Sequence, residues 1–68
     1  MKYNITLKTE KHFQYIVEAD NIENAIKKAK DVAAWDDFSM PENFDVVSEK
    51  CREATENDIV NLREFIIH

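Results

Sequence analysis

The chain has no glycine in its 68 residues, one proline and one cysteine. Glycine is what lets backbone approach a phosphate group closely, so its absence excludes P-loop and dinucleotide-binding fingerprints. A single cysteine, Cys51, leaves no partner for an internal disulfide. With only two histidines, no Cys/His spacing reads as a zinc site. Long apolar runs are missing too: nothing approaches the roughly 20 residues that cross a bilayer, and Met1-Lys2-Tyr3-Asn4 lacks the apolar stretch of a signal peptide. These features together predict a cytoplasmic protein with no membrane partner.

What is present is enough to fold. Hydrophobic residues make up 44% and charged residues 34% of the chain, which is globular in balance and implies one domain over residues 1–68. The net charge of -5 is unevenly spread: residues 1–30 carry six lysines against four acids, residues 31–68 three Lys/Arg against ten acids. Such a C-terminal half repels nucleic acid and favours encounter with basic protein surfaces.

Tyr3, Ile5 and Leu7 alternate with polar residues, and Phe13, Tyr15 and Val17 alternate with Gln14, Ile16 and Glu18 in a second β-branched and aromatic run. This period of two predicts a pair of antiparallel strands, joined by a four-residue loop Thr9–His12 because no glycine is available for a tighter turn. Asp20 stands three residues before Glu23 in the spacing of a capping box. From there Ile22, Ala25, Ile26, Ala29, Val32 and Ala33 recur on one helical stripe, and the alanines suit close packing on a sheet. The helix should end near Trp35, since Asp36 and Asp37 are badly matched to the negative end of a helix dipole. Residues 37–43, with Pro41, read as a loop. Phe44, Val46 and Val47 open a third strand carried to Ala54. Thr55 followed by Asp58 marks a second N-cap, with Ile59, Leu62, Arg63 and Ile66 on one face of a short C-terminal helix. The tail is also rich in β-formers, so a fourth strand over Ile59–His68, pairing with strand three, is the alternative. The expected fold is a two-layer α+β domain: a three-stranded, mainly antiparallel sheet, one packed helix and a short C-terminal helix, or in the alternative order strand, strand, helix, strand, strand.

The segment Trp35-Asp36-Asp37-Phe38-Ser39-Met40-Pro41 combines large apolar side chains with adjacent carboxylates on a predicted loop. Trp35, Phe38 and Met40, framed by Asp36, Asp37 and Glu42, are the expected protein-interaction residues; the competing expectation is that Trp35 and Phe38 close the open end of the core. Asp36, Asp37, Glu42 and Asp45 match no metal-binding loop spacing, so no metal site is expected there. Lys27, Lys28 and Lys30 edge the first helix, where pairing of Lys27 with Glu23 and Asp31 at four-residue spacing accounts for much of the patch. The acidity of the chain stands against direct nucleic-acid binding. His12, His68 and Cys51 sit in no motif that supplies a base and an orienting group. Neither catalytic residues nor a cofactor are expected.

The stretch Phe13 to Lys30, reading FQYIVEADNIENAIKKAK, resembles small phage and mobile-element proteins in which a strand ending V-E-A-D leads into a helix with an E-x-A-I core. The DpnD/PcfM-like proteins look like this, and some small anti-CRISPR proteins share the strand, strand, helix, strand layout. The similarity covers about a quarter of the chain. It implies a stoichiometric, non-enzymatic inhibitor or regulator, encoded by a phage or mobile element and acting on a host or phage protein complex such as a CRISPR effector; it implies no particular residues. Met1 to Ala33 is also similar to the start of HicB-type antitoxins, though their P-x-x-P-G-C-like turn is missing, and Arg52 to Ile59 is similar to the first strand and helix of GNAT acetyltransferases, whose acetyl-CoA loop needs glycines. An antitoxin-like regulator of a toxin or nucleic acid and a metal-dependent enzyme are the other functional classes carried forward. Monomer and small homo-oligomer both remain open.

Overall fold

The computed structural model describes residues 1–67; His68, with what was expected of it, lies outside the described residues. The chain is α+β, a five-stranded mixed sheet with one long and one short helix. Strands β1 (Lys2–Lys8) and β2 (His12–Glu18) pair antiparallel over their full lengths, from Lys2 opposite Glu18 to Lys8 opposite His12. The loop is a residue shorter than expected: His12 belongs to β2, and Thr9 closes the turn by donating its N–H to the Lys11 carbonyl at 2.8 Å. Three residues suffice because the local side chain helps, the Thr9 hydroxyl accepting from the Lys11 N–H.

Helix α1 (Ile22–Asp37) follows. Its N-cap is Asn21 and not Asp20, the Asn21 side chain accepting the Asn24 N–H at 2.9 Å. The start slips by one residue because Ala19 is still held in the sheet by the Met1 carbonyl, and asparagine caps as well as aspartate does. Ala25, Ala29 and Ala33 have no exposed surface, so the small-residue stripe seats the helix directly on Ile5, Leu7, Tyr15, Val17 and Phe44. Phe13 meets Phe44 edge to face at 5.3 Å.

The stretch expected as one strand from Phe44 to Ala54 is two short ones on the same edge of β1. Strand β3 (Asp45–Val46) pairs with Leu7 and Lys8, and β4 (Arg52–Glu53) with Tyr3 and Asn4. Between them Ser48–Lys50 forms a turn of 3-10 helix, with Val47 N–H still bonded to the Thr6 carbonyl at 3.0 Å. Breaking the edge this way denies a long template to other strands.

Both expectations for the tail hold in part, but its strand joins β2 and not the third strand, because the chain crosses to the opposite edge of the sheet before it. Helix α2 (Glu56–Asn61) begins at Thr55 in a complete capping box with Asp58, and Arg63–Phe65 then turns the chain into β5 (Ile66–Ile67), which runs parallel to β2. Residues 54–65 thus carry the chain from the β1 edge to the β2 edge. Ile16 and Asn4 are outside the cluster under α1 yet are fully buried, Ile16 beside Ile66 of β5 and Asn4 accepting from the Gln14 side chain at 2.9 Å.

Candidate functional site

The last turn of α1 and the segment after it hold the predicted interaction residues. Trp35, Asp36 and Asp37 are helical and not in a loop, and the helix ends two residues later than the charge argument allowed. Two contacts offset the misplaced carboxylates. Ala33 and Ala34 bury the inner side of the final turn, and the Tyr15 hydroxyl donates to Asp36 Oδ2 at 3.3 Å. Burial first, and the neighbouring Asp36 charge second, push the Tyr15 phenol up to about 12.

The helix is stopped by Phe38, whose backbone is left-handed at φ 52° and ψ 42°. Its N–H and that of Ser39 both return to the Ala34 carbonyl, the double closure that glycine usually makes. A β-carbon in this conformation costs about 1–2 kcal/mol. With no glycine in the chain, a phenylalanine occupies the cap.

That phenylalanine is not held by packing: Phe38 is 97% exposed, Trp35 83% and Met40 58%. The aromatics therefore do not close the core, contrary to the expectation that Trp35 and Phe38 would do so. Asp37 and Glu42 are exposed beside them, Glu42 on the 3-10 turn Pro41–Asn43. Asp36 belongs to a different neighbourhood: it lines a groove with Phe13, Tyr15, Leu62 and Phe65. It continues the buried stripe seven residues beyond Ala29, whereas Trp35 is rotated about 120° from that stripe.

Trp35 and Phe38 wall a groove of about 420 Å³, completed by Asp31, Ala34, Ser39 and Pro41. Ser39 is steadied by Asn43, whose side-chain N–H donates to its hydroxyl at 2.9 Å. Asp31 was not singled out from the sequence as a site residue. Its position one helical turn before Trp35 is the signal that identifies it.

Elsewhere a few charged groups have structural partners. Arg52 makes a two-pronged contact with Asp58, at 2.5 Å and 2.9 Å. That guanidinium, together with the Thr55 backbone N–H, holds the Asp58 carboxyl well below its ordinary range. The expected Glu23–Lys27 and Lys27–Asp31 pairs do not form among the described residues; Lys28 instead donates to the Glu18 carbonyl at 2.8 Å, tying the helix to the end of β2. Among the described residues no three His, Cys, Asp or Glu side chains gather as a metal site, and none of the described helices is long and apolar enough to cross a membrane. No protein-family model matches the chain, and no curated protein or solved structure is significantly similar to it.

Proposed function

We propose that this protein acts without catalysis, by binding another protein through the C-terminal end of α1. One observation carries the reading: Phe38 adopts a strained backbone conformation and is almost wholly exposed. Neither burial nor local backbone energy favours phenylalanine there. Local conflict of this kind concentrates at functional positions. The neighbouring residues add to it, since Trp35 is exposed and Asp36 and Asp37 stand at the wrong end of the helix dipole with no basic residue in the last turn.

The surface matches the anatomy of a protein interface, with aromatic anchors and a methionine surrounded by charge. The surrounding charge is negative, from Asp31, Asp37 and Glu42, so the partner presents a basic face. On the resemblance of Phe13 to Lys30 to phage and mobile-element proteins, the proposed role is that of a stoichiometric inhibitor or regulator of a host complex.

Immobilised protein should retain a specific complex from bacterial lysate. The double substitution Trp35→Ala, Phe38→Ala should abolish retention while the amide spectrum stays that of the folded protein, and Asp37→Lys should reduce it. Retention undiminished by the double substitution would remove this surface from consideration.

A further inference from the structure

We infer that the groove between Trp35 and Phe38 receives an arginine side chain projecting from the partner. This rests on the binding reading above and names the chemistry at its centre. The groove combines two aromatic walls, a small floor at Ala34 and one carboxylate, Asp31. A guanidinium is planar, so it can lie against an indole or phenyl face while its edge donates to a carboxylate.

The end of the helix adds negative potential beside the groove. Phe38 and Ser39 both donate to the Ala34 carbonyl, so the carbonyls from Trp35 to Asp37 have no helical N–H beyond them. These carbonyls carry the negative end of the helix dipole, and no lysine or arginine occupies the last turn to neutralise it. A purely apolar anchor would cover the Asp31 carboxylate without pairing it. Phosphate would meet only negative charge. Lysine would gain the charge attraction but has no flat face for the rings, and its ammonium is more strongly hydrated.

The test uses the full chain and a capped hexa-arginine peptide, read by backbone amide shifts and by the fluorescence of Trp35, the sole tryptophan. Shifts should concentrate in residues 31–41, and capped hexa-lysine should bind about fivefold more weakly, the factor expected of one stacked cation. Asp31→Asn and Trp35→Ala, both at exposed positions, should each weaken hexa-arginine binding. Glu56→Gln removes an equal charge from the exposed start of α2 and should leave it unchanged. Equal affinity for the two peptides, shifts spread over the acidic C-terminal half, or an Asp31→Asn effect no larger than that of Glu56→Gln would overturn the inference. If partner capture requires Trp35 and Phe38 while hexa-arginine does not seat between them, the arginine assignment alone fails. If capture is indifferent to both aromatics, the binding reading fails.

Discussion

At Phe38 the chain accepts a left-handed backbone, an exposed aromatic ring and the neighbourhood of two carboxylates at once. Phe38→Gly should relieve the backbone and raise stability by up to about 1 kcal/mol, part of the gain being lost to the greater freedom of glycine in the unfolded chain. Urea denaturation measures the gain, and the same variant should lose partner binding. At Tyr15 the sign is set by a raised phenol. A group whose folded value exceeds its unfolded one stabilises fully below the unfolded value, near 10, and that contribution is lost as pH rises from there towards about 12. Tyr15→Phe should flatten this alkaline decline in unfolding midpoints, and phenolate absorbance should show one tyrosine ionising near 12 in the folded protein. Asp36 was legible as a carboxylate near the helix end, but its donor was not. The two residues are 21 apart in sequence and meet only across the sheet and helix layers.

Among the elements, α1 was the most readable, because its stripe from Ile22 to Ala33 repeats at the helical period and agrees with what is buried. Its end was misread, since a dipole argument weighs tenths of a kcal/mol against packing of Ala33 and Ala34 that weighs more. Helix α2 is the opposite case. At six residues it is too short to persist on propensity, so its cap matters disproportionately. Thr55→Ala should cost about 1 kcal/mol and speed amide exchange in residues 56–61 ahead of the β1–β2 pair. Asp58 carries the same dependence into pH. Its carboxyl is depressed chiefly by Arg52, so its contribution is present above the ordinary value of 3.8 and fades as pH falls below it. Circular dichroism and amide exchange below pH 4 should show α2 loosening first, and Arg52→Gln should bring that loosening to higher pH.

For the molecule as a whole, stability rests chiefly on the layer of contacts between α1 and the sheet. A domain of this length rarely exceeds about 3–5 kcal/mol from its core, and truncating a buried phenylalanine costs about 3–5 kcal/mol. Phe44, 2% exposed and packed in the centre of that layer, is therefore a residue the fold depends on. Phe44→Ala should abolish cooperative unfolding in urea, whereas Phe38→Ala and Trp35→Ala should leave the transition within about 1 kcal/mol of the parent, because their side chains are exposed. Sequence alone was sufficient for the β1–β2 pair, the α1 stripe, the Thr55 cap and the α+β class, since each is written in periods of two or 3.6 or in a spacing of three residues. Tertiary structure decided the rest: that residues 44–54 split into two edge strands around a turn, that the tail becomes both helix and parallel strand, and that Trp35 and Phe38 stand open to solvent while Asp36, also exposed, meets the Tyr15 hydroxyl. Those outcomes depend on pairings between residues distant in sequence, such as Ile16 with Ile66 and Tyr15 with Asp36, and a local pattern carries no record of what the other side of the fold will offer.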